Sequence, residues 1–106
     1  MSKSEEILNG VVGITNAQYP DSEIYLYGSR ARGDSKIMSD WDLLILLDTA
    51  NVSFDQETSL LNDIYDIEVE AGEIISPLIY SKSDWNENHY FTPLFENIKK
   101  EGVRIV

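Results

Sequence analysis

Leu43-Leu44-Ile45-Leu46-Leu47 is an unbroken aliphatic run, preceded by Asp40-Trp41-Asp42 and ended by Asp48-Thr49-Ala50-Asn51. A strand with one wet face alternates apolar and polar residues. One that is apolar at every position is covered on both faces. The run therefore predicts a central strand between two layers, and the rest of the chain must supply neighbouring strands and covering helices.

Those elements can be read off in order. Residues from about Ser4 to Ala17 carry Ile7, Leu8, Val11, Val12 and Ile14 at helical spacing, although Gly10 and Gly13 weaken the propensity. Tyr19-Pro20-Asp21-Ser22 breaks the pattern, and Ile24 to Tyr27 reads as a first strand. A second long helix spans about Phe54 to Val69, with Leu60, Leu61, Ile64, Tyr65, Ile67 and Val69 as its apolar positions and Gly72 as its stop. Its acids Asp63, Asp66, Glu68 and Glu70 read as a solvated face.

Ile74 to Tyr80 forms a third strand, in which Pro77 donates no ladder hydrogen bond and so indicates an edge or a bulge. The polar stretch Ser81 to Phe91 holds Trp85, Tyr90 and Phe91, which either close the core or form an exposed patch for a partner, and the lone His89 reads as structural. Thr92-Pro93 caps a last helix that buries Leu94, Phe95 and Ile98 and places Lys99 and Lys100 at the cation-favouring end of its dipole. Val103 to Val106 is a short strand or a docking tail. The order is that of a small α/β (α+β) fold, a mixed β-sheet with helices packed on it, in one domain over residues 1–106.

The chemistry concentrates between the first two strands. Gly28, at the end of the first strand, lets backbone approach a ligand where a side chain would collide. Ser29 is expected to cap a short helix whose free N–H groups face an anion. Arg30 and Arg32 add guanidinium groups suited to paired phosphate contacts. Asp40 and Asp42 are two residues apart on a strand, so their Cβ atoms lie on one face roughly 6 to 7 Å apart and can converge on a divalent cation. Trp41 points the other way, into the core. Gly28 and Gly33 are spaced like the glycines of a P-loop, but Asp34 and Ser35 stand where its Lys and Ser/Thr belong. Arg30 occupies the position where a dinucleotide fingerprint needs another glycine.

Charge narrows the partners. The formal charge of −11 over 106 residues argues against a nucleic-acid surface. Arg30, Arg32 and Lys36 are three of only eight basic residues, and their clustering beside the acids favours a bound anion. The absence of cysteine excludes disulfides and thiol catalysis. No apolar run approaches the roughly 20 residues needed to span a bilayer and the first residues carry no signal-peptide pattern, so a cytoplasmic protein away from membranes is expected.

Gly28-Ser29-Arg30-Ala31-Arg32-Gly33 followed by Ser39-Asp40-Trp41-Asp42-Leu43 resembles the signature of the minimal nucleotidyltransferases, a branch of the DNA polymerase β-like superfamily. The resemblance implies a polymerase β palm-like fold. It also implies transfer of a nucleoside monophosphate, AMP from ATP, to a hydroxyl, with Mg²⁺ held by the catalytic acids Asp40 and Asp42. Gly28, Ser29, Arg30 and Arg32 are then the nucleotide-binding residues. Small members of this group are often paired with a helical HEPN-type toxin, so the resemblance implies an antitoxin role with a partner tyrosine as acceptor, and leaves the oligomeric state open. The third strand in the wider superfamily often carries a further carboxylate. Here its interior has none: Glu73 stands at its start, Ser76 is its polar residue, and a period of two puts these on opposite faces. The alternative is therefore a nucleotide-binding antitoxin module that has lost turnover and neutralises a partner by contact.

Overall fold

The structure is a computed structural model that describes residues 2–106. Strand β2 (Trp41–Leu47) lies between β1 (Glu23–Tyr27), antiparallel to it, and β3 (Ile75–Ser81), parallel to it. The short β4 (Val103–Arg104) pairs antiparallel with β1, which gives the order β3-β2-β1-β4. Pro77 thus sits on an edge strand, where its missing N–H costs no ladder bond.

Side-chain alternation along β2 divides the core in two. Trp41, Leu43, Ile45 and Leu47 face helices α1 (Lys3–Gln18) and α3 (Phe54–Ala71), packing with Ile7, Val11, Leu60 and Ile64. Leu44 and Leu46 face the opposite layer, where Trp85 of α4 (Lys82–Asn88) and Ile98 of α5 (Pro93–Glu101) cover them. Each buried Leu or Ile contributes about 1.5–3 kcal/mol of transfer free energy, so the central position suits this run better than any edge would. A one-turn helix, α2 (Ser29–Arg32), links β1 to the loop before β2.

Local signals set the helix ends. The Ser2 side chain accepts from the Glu5 N–H, Ser53 and Gln56 form a reciprocal capping box, and α3 stops at Gly72 with φ 70°. Thr92 accepts from the Phe95 N–H, with Pro93 as first helical residue. Gly10 has a packing reason that propensity alone conceals: a Cβ there would lie 3.1 Å from Ile67 Cδ1, so the glycine lets α1 approach α3 closely.

Three expectations change. Tyr65 and Val69 are 52% and 65% exposed, because the inward stripe of α3 runs through Leu60, Ile64, Ile67 and Ala71 and turns these two toward the outer side of the helix. The stretch after β3 contains a helix, α4, started by Ser81 accepting from the Asp84 N–H; a Ser three residues before an acid is the signal for it. Its aromatics also divide. Trp85 is buried against Tyr80, His89 and Phe95, whereas Tyr90 and Phe91 are exposed and touch each other edge to face. His89 ends α4, stacked on Trp85 with Nε2 3.4 Å from Asp84, a structural placement. Among the described residues, no helix is long and apolar enough to cross a membrane.

Candidate active site

The end of β1 and the starts of β2 and β3 meet at one rim of the sheet. Tyr27, Asp42 and Ser76 are register partners there, so their side chains form a row on the face that carries Leu44 and Leu46. Asp40 precedes β2, and the Ser76 hydroxyl donates to its Oδ2 at 2.9 Å. The structure thereby brings Asp40, Asp42 and Ser76 together. Glu73, by contrast, lies outside β3 and pairs with Arg30, its Oε2 3.8 Å from Nη2.

Gly28 makes this convergence sterically possible. Its φ of 75° and ψ of −159° belong to a region that only glycine adopts readily, and a Cβ built there would collide with Asp42 Oδ2. The N-cap of α2 is Gly28, with no side-chain cap bond, so Ser29 is the first helical residue and not the cap expected of it. The Gly28 carbonyl accepts from the Ala31 and Arg32 N–H groups, and that of Ser29 from Gly33 and Asp34. These bonds do not use the Ser29 and Arg30 N–H groups at the head of the turn.

The two arginines part company. Arg32 is half-exposed, with Nε 3.2 Å from Asp34 and Nη1 3.1 Å from Glu101 of α5. Its charge opposes, without cancelling, the effects that raise the Asp42 pKa. Arg30 turns instead toward the core: its guanidinium sits 4.4 Å from the Trp41 ring centroid and Nη2 donates to the Ser39 carbonyl at 2.9 Å. The expected contact of Arg30 with phosphate thus meets a side chain already engaged with protein.

At the rim, Asp42 carries its negative charge at a cost. Burial first, and the neighbouring Asp40 charge second, hold the Asp42 carboxyl above the usual carboxylate range, with Arg32 opposing. Burial, then the Asp42 charge and Tyr80, push the Tyr27 phenol up to about 12. Among the described residues there is no group of three or more His, Cys, Asp or Glu placed to share a metal ion. The protein's oxygen donors here are two carboxylates and the Ser76 hydroxyl. A cavity of about 510 Å³ beside β3 and one of about 310 Å³ between α4 and α5 are lined by other residues. The acids lie outside both, at the rim of the sheet.

The rim thus presents a glycine pressed against the Asp42 carboxylate, with Asp40 two residues before it. The family model described as Polymerase beta, Nucleotidyltransferase matches residues 17–106. The chain belongs to this family. Its four-stranded mixed sheet with helices on both faces is the nucleotidyltransferase fold. A crystal structure of a toxin–antitoxin with AMP-PNP has the same fold, with a TM-score of 0.67 over 93% of this chain and 72% of that chain, at 16% identity. No curated protein matches the chain. Against the family pattern, the residue that sequence reasoning undervalued is Ser76. Its alignment beside Asp42 follows from the β2–β3 register, which the separate strand patterns do not reveal.

Proposed function

We propose that this domain, residues 1–106, is a cytoplasmic Mg²⁺-dependent nucleotidyltransferase that moves AMP from ATP to a hydroxyl of a protein partner, breaking the bond between the α- and β-phosphates and releasing pyrophosphate. The observation that carries the reading is Asp42 packed against Gly28, with Asp40 held beside it by Ser76, in a chain of this family. The donor set fits Mg²⁺, a hard cation that commonly takes one or two carboxylates and completes its shell with water and substrate phosphate. Asp40 and Asp42 would hold it, and when bound it supplies neutralising charge at the reacting phosphate.

The protein's own groups bind and orient. Gly28 keeps the backbone low enough for the triphosphate to approach. Ser29, with the N–H groups at the head of α2, meets phosphate oxygens. Arg32 contributes a guanidinium once it leaves Glu101 or shares it. A solved structure of the same fold is a toxin–antitoxin with AMP-PNP, which supports ATP as the nucleotide and a toxin as the partner of this chain. The motif resemblance favours a helical HEPN-type toxin whose tyrosine receives AMP.

Incubation of a candidate helical partner with this protein, ATP and Mg²⁺, followed by mass spectrometry, tests the reading. A gain of AMP units with the wild type, absent with Asp40→Ala/Asp42→Ala, is the expected result. The double variant should also lose Mg²⁺-dependent nucleotide binding while remaining folded; unchanged affinity would refute the metal site. The second reading, a binding module without turnover, is favoured by Ser76 standing beside the acids in place of a carboxylate. A stable complex with no mass gain would select it.

A further inference from the structure

We propose that Arg30 is a positioning residue, whose guanidinium anchors the loop ahead of β2 and so keeps Asp40 convergent with Asp42. The inference rests on the reading of Asp40 and Asp42 as a divalent-cation site. Its own evidence is the placement of the side chain.

Residues 33–40 form no helix or strand, and their large apolar side chains do not fasten them: Ile37 is 87% and Met38 is 79% exposed. Polar contacts hold the loop instead. A tight turn closes on itself through Ser39 N–H to the Lys36 carbonyl at 3.0 Å and Lys36 N–H to Ser39 Oγ at 2.8 Å. Arg30 ties that turn to the body of the protein. Its Nη2 donates to the carbonyl of Ser39, which is the acyl half of the peptide bond leading into Asp40, and makes a longer contact of 3.4 Å to the Ile37 carbonyl. The same group faces Glu73, just before β3, at 3.8 Å.

The anchor point is buried. The guanidinium lies over Trp41, which is buried between the two acids in sequence and packs in the α1/α3 core. Only 16% of the Arg30 side chain is exposed, so little of it can meet a phosphate. One cation thus joins the loop carbonyls, the approach to β3 and the back of β2. The Ser76 hydroxyl holds the Asp40 carboxylate from the other side. Asp40 is therefore fixed through its backbone by Arg30 and through its side chain by Ser76.

Positioning and simple charge predict opposite signs. Removing a positive group near a cation site strengthens cation binding if only Coulomb repulsion is at stake. If Arg30 holds a ligand in place, removing it weakens binding. Supporting partners of metal ligands typically affect affinity about 10–100-fold.

The probe is Mn²⁺ alone, titrated into the protein while free Mn²⁺ is followed by electron paramagnetic resonance, with urea unfolding of each variant alongside. Arg30→Met is expected to weaken Mn²⁺ binding about 10–100-fold, and to have no further effect in an Asp40→Ala background. Arg30→Lys retains the charge without the planar fork that stacks and donates together, and is expected to weaken binding as well. It also serves if Arg30→Met fails to fold. Mn²⁺ affinity equal to or tighter than wild type in both variants overturns the positioning role and leaves the acid-pair site standing. If the wild type binds Mn²⁺ no better than Asp40→Ala/Asp42→Ala, the site reading fails and this inference with it.

Discussion

Gly28→Ala separates the two demands that the structure makes on this position. The backbone there has φ 75° and ψ −159°, and occupying such a region with a non-glycine residue costs about 1–3 kcal/mol. The new Cβ also runs into Asp42 Oδ2, with the carboxylate carbon 3.2 Å away, and overpacking of this kind adds about 1–3 kcal/mol. The sum is a large part of the roughly 5–15 kcal/mol that holds a small domain folded. Urea unfolding of four proteins measures it: wild type, Gly28→Ala, Asp42→Ala and the double variant. Asp42→Ala removes the oxygen that the Cβ would strike, so in that background Gly28→Ala should cost only the backbone strain. The expected coupling is about 1–3 kcal/mol. Gly33→Ala is the control, because Gly33 also has positive φ, 86°, yet a Cβ there meets nothing within 4 Å. It should cost about 1–2 kcal/mol with no coupling to Asp42. If Gly28→Ala costs no more than Gly33→Ala, or if Asp42→Ala brings no relief, the close approach of turn and acid is not what the glycine serves.

Further outcomes follow from the same geometry. Asp42 binds its proton more tightly in the folded protein than in the unfolded chain, so its contribution to stability is present at low pH and lost as pH rises through its raised pKa. Asp42→Asn should therefore be more stable than wild type in EDTA at neutral pH, with the advantage fading as pH falls toward about 4; a less stable Asn variant at neutral pH would mean that the carboxylate has a favourable partner. Ser76→Asp places a third carboxylate beside Asp40 and Asp42, and should tighten Mn²⁺ binding at least about tenfold while lowering metal-free stability. Unchanged Mn²⁺ affinity in a calorimetric titration would show that position 76 does not reach the cation. Gly13→Ala fills open space on α1 and should raise the urea midpoint by the equivalent of about 0.5–1 kcal/mol.

What could be read from the chain alone depended on local periodicity. The unbroken Leu43–Leu47 run announced a doubly covered central strand, because apolar side chains on both faces of a strand must be buried on both sides. Thr92-Pro93 and Gly72 marked helix ends through backbone constraints that act within a turn. The spacing of Asp40 and Asp42, with Gly28 and Ser29 ahead of them, was enough to suggest the family. Tertiary structure decided whatever depended on elements distant in sequence. Register between β2 and β3 set Ser76 beside Asp42 and left Glu73 to Arg30, since pairing fixes which faces meet and no single strand encodes its partner. Docking against α1 set the rotation of α3 and so exposed Tyr65 and Val69. Arg30 and Arg32, two residues apart on one turn, look alike in sequence; the buried Trp41 ring and the Ser39 carbonyl drew one inward, while Asp34 and Glu101 held the other at the surface.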